Sequence, residues 1–153
     1  MKNGLKHLIR DCVGPISSRA LRMFIRFFEA EDGLLHASTI RALDKPYGQN
    51  RIIFECPECA IAHVLILPGQ QTSEHFHSVR RELFGVRSGV LSFWQQDHEV
   101  SVLAPGDFAF SVPGVVHQLR NRGSIIVDFL EIIIPPLHLD KTRIFDPYGR
   151  IDL

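Results

Sequence analysis

The chain has 153 residues, 45% of them hydrophobic, and its 17 basic and 17 acidic side chains cancel to a formal net charge of zero. This size and composition suit one compact domain whose core needs no disulfide staples. The charge balance excludes the basic footprint of a nucleic-acid binder or of a ligand for anionic membranes, so the expected partner is a small molecule.

No run of about 18 apolar residues occurs, and no charged region, apolar stretch and small-residue cleavage site mark a signal peptide, so a cytoplasmic location is expected. Cys12, Cys56 and Cys59 are few and odd in number, which reads as reduced thiols. In chain order, Leu5, Leu8, Ile9 and Cys12 form one apolar stripe of a short helix that Gly14 and Pro15 would end. From Ser17 to Gly33 the pattern favours a second helix with Leu21, Phe24 and Phe28 on one face, although its alternation also admits a strand. Residues 1–44 are thus expected to be an N-terminal extension, with a barrel and C-terminal tail over 45–153.

The segment DKPYGQN, residues 44–50, is turn chemistry and opens a different texture. From Arg51 to Pro136 short apolar runs such as RIIFEC, AIAHVLIL, VLSFWQ and IIVDFLEIII alternate with Gly and Pro turns. Even spacing of β-rich runs predicts an all-β sandwich or barrel of the jelly-roll kind. After Pro135 and Pro136 the polar, turn-rich tail is expected along the barrel surface.

Within this region Gly69 to Gly89 brackets His75, His77 and Glu82. Alternate strand residues share a face, so His75 and His77 point the same way, and Glu82 returns on the next strand to complete one hairpin. A fourth ligand is expected further along, and His117 in GDFAFSVPGVVHQLRN is the candidate.

These two stretches resemble the two motifs of the cupin superfamily over roughly residues 51–136. The first fits throughout; in the second, Pro113 directly precedes Gly114 where the family has one residue between them. The resemblance implies a double-stranded β-helix holding one divalent metal on His75, His77, Glu82 and His117. Three imidazoles and one carboxylate suit Fe, Mn, Co, Ni or Zn. The open positions such a set leaves mark a catalytic site.

A narrower resemblance rests on Lys45-Pro46-Tyr47-Gly48, on Arg80 and Glu82 after His77, and on the closing Arg143-Ile144-Phe145-Asp146-Pro147-Tyr148-Gly149-Arg150. In that order they are similar to the C-terminal cupin domain of type II mannose-6-phosphate isomerases, except that His75 stands where that family has glutamine. It implies a metal-dependent isomerase or epimerase of a sugar or sugar phosphate, with Glu82 and Arg80 in catalytic roles and Arg80 and Arg150 on the substrate phosphate. For the base, Glu82, His63 and His98 all remain open. A non-haem iron dioxygenase or lyase acting on a small organic acid is the rival, and a non-catalytic binding barrel the third reading. Cys56 and Cys59 with His63 are half a zinc site lacking its second ligand pair, so they read as cysteines flanking a turn. A homodimer is the expected oligomer.

Overall fold

The computed structural model describes residues 41–137 and 139–150. Both N-terminal helix expectations therefore lie outside the described residues. Within them the chain is all-β, with no helix and none long and apolar enough to cross a membrane. Eleven strands follow one another: β1 Arg41–Lys45, β2 Gly48–Glu55, β3 Ala60–Ile66, β4 Glu74–His77, β5 Arg81–Ser88, β6 Leu91–Gln95, β7 His98–Leu103, β8 Phe108–Ser111, β9 His117–Arg120, β10 Val127–Ile134 and β11 Lys141–Phe145. They form a six-stranded sheet ordered β1-β2-β3-β10-β5-β8 and a five-stranded sheet ordered β11-β4-β9-β6-β7. Every ladder is antiparallel, and the two sheets enclose one interior, which is the expected jelly roll.

Period-2 alternation explains which side chains enter that interior. Ala62, Val64 and Ile66 on β3, Phe84 and Val86 on β5, Leu91 and Phe93 on β6, and Val127 and Phe129 on β10 are buried together. Each such burial removes apolar surface from water and contributes about 1.5–3 kcal/mol for the larger side chains. The same inward rows also carry polar residues: Glu82 precedes Phe84, and Glu131 follows Phe129. One end of the barrel is therefore packed and the other carries a cavity.

Three expectations change. Glu82 is not in a hairpin with His75 and His77, because β4 pairs with β11 and β9 whereas β5 pairs with β10 and β8. Residues 78–80 instead cross from one sheet to the other, and Asp140 fixes that crossing by accepting the backbone N–H groups of Ser78, Val79 and Arg80 at 2.9, 3.0 and 2.8 Å. The polar tail does not lie over the barrel; it supplies β11, an edge strand against β4. Nor is the turn at 44–50 as broad as expected, since only Pro46 and Tyr47 form it and β1 pairs back on β2 from Arg41.

Gly48 follows that turn at φ 146°, and a Cβ there would lie 2.2 Å from the backbone oxygen of Leu65. Gly69, at φ 72°, has no atom within 4 Å of such a Cβ. Gly69→Ala should cost about 1–2 kcal/mol, the left-handed strain alone. Gly48→Ala, which adds a clash with backbone that cannot move aside, should lose clearly more in urea unfolding; equal losses would refute the packing argument.

Candidate metal centre

His75 and His77 stand two residues apart on β4, His117 faces His75 across the β4–β9 ladder, and Glu82 reaches them from the opposite sheet. All four are only 1–4% exposed, and their ligand atoms lie within 4.8 Å of one another. The imidazoles are oriented by the protein behind them. His75 Nδ1 lies 2.7 Å from the Ser73 carbonyl oxygen, His77 Nδ1 2.7 Å from that of Asp140, and His117 Nδ1 3.1 Å from that of Val115. A carbonyl only accepts, so Nδ1 of His75 and of His77 carries the proton and Nε2 keeps its lone pair for the centre; His117 Nδ1 also lies 2.9 Å from the Ser111 hydroxyl, which can either donate or accept.

Protonation states agree with ligation. Burial, and then the charges of Lys141 and His117, holds His75 well below its ordinary pKa, and burial also lowers His77 against the pull of Glu82. Burial would raise Glu82, but the hydrogen bonds that His117 and His77 donate whenever Nε2 carries a proton, and the charge of Arg80, outweigh it and hold the carboxyl well below the usual range. Neutral nitrogen beside an anionic carboxylate is the form a cation requires.

The residues fit a divalent metal on a further ground. His77 Nε2 lies 3.0 Å from Glu82 Oε1, and His117 Nε2 3.0 Å from Glu82 Oε2. With its proton committed on Nδ1, a neutral His77 sets a lone pair against a carboxylate oxygen, an arrangement that a cation reconciles. Glu82 Oε1 is buried without a hydrogen bond among the described residues, although Arg80 Nη2 lies 3.0 Å from it.

A cavity of about 310 Å³ opens onto this cluster. Phe84, Phe129 and Ile133 form apolar wall, and Lys45, Arg80, Lys141, Arg143 and Glu131 also line it. Sequence reasoning missed Lys45, Lys141, Arg143 and Glu131. Lys141 pairs with His77 and Arg143 with His75 along the β11–β4 ladder, so all four side chains share the inward face. Glu131 has the parity of the buried Val127, Phe129 and Ile133, a signal present in DFLEIII itself. Burial and then the Glu82 charge push Glu131 up to about 8, while burial lowers Lys141 to about 8.

The other expected residues divide. Arg80 is at the centre, its Nη2 2.9 Å from His77 Nε2. Arg150 lines no part of the cavity: Nε and Nη2 donate to the two Asp146 oxygens at 2.6 and 3.1 Å, and the guanidinium stacks 5.3 Å from the Tyr148 ring. His63 pairs with Asp128 at 2.9 Å and His98 is exposed against the Gln96 carbonyl, so neither faces the metal cluster. Tyr47, from the turn between β1 and β2, is buried and lines the cavity. Phe84 and Phe93 are core, whereas Trp94 stacks under Arg120 at 3.7 Å on the outside, and Phe108 and Phe110 are half exposed.

Residues 62–133 match the family described as Cupin domain. No curated protein matches the chain. Among solved structures, a Klebsiella pneumoniae protein with a double-stranded β-helix domain is 24% identical over 68% of this chain and 85% of its own, with a TM-score of 0.53. A sugar phosphate isomerase of the cupin superfamily from Silicibacter pomeroyi is 20% identical over 66% and 74%, with a TM-score of 0.57. A predicted oxalate decarboxylase from Thermotoga maritima is 20% identical over 67% and 98%, with a TM-score of 0.56. These likenesses establish the cupin fold, a double-stranded β-helix.

Purified protein should carry about one divalent ion per chain by elemental analysis, lost in His75→Ala and in His117→Ala; full occupancy in both variants would refute the ligand set. Asp146 gives a second test. Burial opposes its ionisation, but the Arg150 hydrogen bonds and the Tyr148 N–H outweigh it and hold its pKa below the ordinary value. A depressed folded pKa gives stability that is complete above the unfolded value of about 3.9 and disappears as pH falls through the folded one. Wild type should therefore exceed Asp146→Asn in unfolding free energy at neutral pH, with the gap closing only in that acid window.

Proposed function

We propose that this chain is a metal-dependent enzyme that isomerises or epimerises a small anionic sugar, a sugar phosphate foremost. The observation that carries this reading is the cavity: Lys45, Arg80, Lys141 and Arg143 face two carboxyls, Glu82 and Glu131, beside the four-ligand cluster. Four basic side chains thus line the cavity, and a divalent ion would add to their positive charge, so a ligand with negative charge suits the site.

The proposed roles follow from position. Lys141 and Arg143, on the face of β11 shared with His77 and His75, hold the anionic group; the arginine fork suits a phosphate bidentately. Arg80 orients an oxygen next to the ligand cluster. Glu131 takes a proton from the carbon beside the substrate carbonyl and returns it to the former carbonyl carbon while a second proton passes from the hydroxyl oxygen to the carbonyl oxygen; epimerisation would need a second acid on the opposite face. Phe84, Phe129 and Ile133 exclude water from that transfer. When bound, a divalent ion supplies Lewis acidity that polarises the carbonyl oxygen. Support also comes from the fold shared with the Silicibacter pomeroyi sugar phosphate isomerase. Arg150, held by Asp146, acts in this scheme through the tail and Tyr148.

A second reading is favoured by the same cations, which suit a carboxylate as well as a phosphate: decarboxylation or oxygenation of a small organic acid, with a predicted oxalate decarboxylase among the proteins of this fold. Anaerobic assays with Mn(II) or Zn(II) on aldose and ketose phosphates should give interconversion. Glu131→Gln should lower kcat by about 10²- to 10⁴-fold with metal content unchanged. Lys141→Gln should instead raise KM for the phosphorylated substrate. Fe(II)-dependent oxygen uptake, or carbon dioxide release from a dicarboxylate, without sugar interconversion would overturn the isomerase reading. Metal binding with neither reaction would leave a non-catalytic barrel.

A further inference from the structure

The β2–β3 connection carries chemistry that the metal cavity does not use. Cys56 and Cys59 flank Pro57 and Glu58, and the Cys56 N–H donates to the Cys59 carbonyl at 2.8 Å, closing the hairpin. The two Sγ atoms are consequently 3.7 Å apart. Cys56 is half-buried and Cys59 is 5% exposed, so one sulfur meets solvent and the other lies behind it. A structural zinc would need two further ligands. Among the described residues, the one convergent group of three or more metal-binding side chains is the His75 cluster, and His63 is held by Asp128.

We propose that Cys56 and Cys59 form a reversible dithiol–disulfide site oxidised by hydrogen peroxide. The Cys56 thiolate attacks a peroxide oxygen and the O–O bond breaks, leaving Cys56 as a sulfenic acid and releasing water after protonation. The Cys59 sulfur then attacks the Cys56 sulfur; the S–O bond breaks, a second water departs and the S–S bond forms. Two thiols are oxidised and one peroxide is reduced to two waters. A dithiol reductant reverses the bond.

The geometry limits what must move. Closing from 3.7 Å to the disulfide length of about 2.05 Å needs rotation of two side chains on a hairpin that is already formed. Burial, and then contact with Cys56, pushes the Cys59 thiol up to about 12, so first attack falls to the accessible Cys56. The reduced pair also lacks the stabilised thiolate at Cys59 that makes a disulfide strongly oxidising. The crosslink would sit next to Ala60, which lines the cavity, but the proposal is independent of what the cavity does.

The test uses the full chain, reduced and then treated with hydrogen peroxide, followed by thiol titration, intact mass and peptide mapping. Expected are the loss of two titratable thiols and two hydrogens per chain, a peptide linking Cys56 to Cys59, and full recovery with dithiothreitol. In Cys59→Ser, Cys56 should stop at a sulfenic acid that dimedone traps; in Cys56→Ser, Cys59 should stay reduced. Direct passage of Cys56 to the sulfinic acid in wild type, or crosslinking only between chains or to Cys12, would overturn the proposal. The wild-type mapping decides even where a variant fails to fold.

Discussion

The structure depends on one meeting across the barrel: the Glu82 carboxylate against the imidazoles of His77 and His117, each nitrogen 3.0 Å from an oxygen. A buried carboxylate without compensation is among the costliest groups a fold can carry. Here two sheets approach each other at that point, where a cation, bound ion or guanidinium, would reconcile the facing groups. The rest of the architecture serves this meeting. Carbonyls of Ser73, Asp140 and Val115 hold the rings, and the Asp140 carboxylate holds the 78–80 crossing that brings β5 opposite β4. Asp140 therefore orients a ligand with its backbone and places a sheet crossing with its side chain.

The packed and open ends of the barrel divide labour along the same strands. On β5 and β10 the inward rows pass from Val86 and Phe84 to Glu82, and from Val127 and Phe129 to Glu131. Burial among these side chains holds His75 and His77 below their ordinary pKa and sharpens every charge in the cavity. Polarity at the other end is what leaves room for a ligand.

The strands and the four residues of the buried cluster were legible in the sequence, and the reasons are local. Alternation in AIAHVLIL or VDFLEIII reports the pleat directly, and the spacing of His75 and His77 reports a shared face. Pairing was not legible, because period 2 says which way a side chain points and nothing about which strand lies beside it; Glu82 thus read as a hairpin partner. Lys141 and Arg143 were missed for a different reason. A strand facing a polar cavity inverts the usual inward-apolar rule, so KTRIF resembles a surface tail until the ladder with β4 is seen. Arg150 shows the converse, since its bidentate grip on Asp146 depends on a turn that no spacing rule reveals.

The strand order has a consequence for how the protein is made. β11, following β10 in the chain, is the edge beside β4, and the carbonyl that orients His77 belongs to Asp140 at its start. A nascent chain that has folded through β10 holds all four ligand residues but neither the Asp140 carbonyl nor the cations of β11. A chain stalled before residue 140 would therefore present the four-residue cluster with the His77 ring unsecured, because its Nδ1 would lack the Asp140 carbonyl.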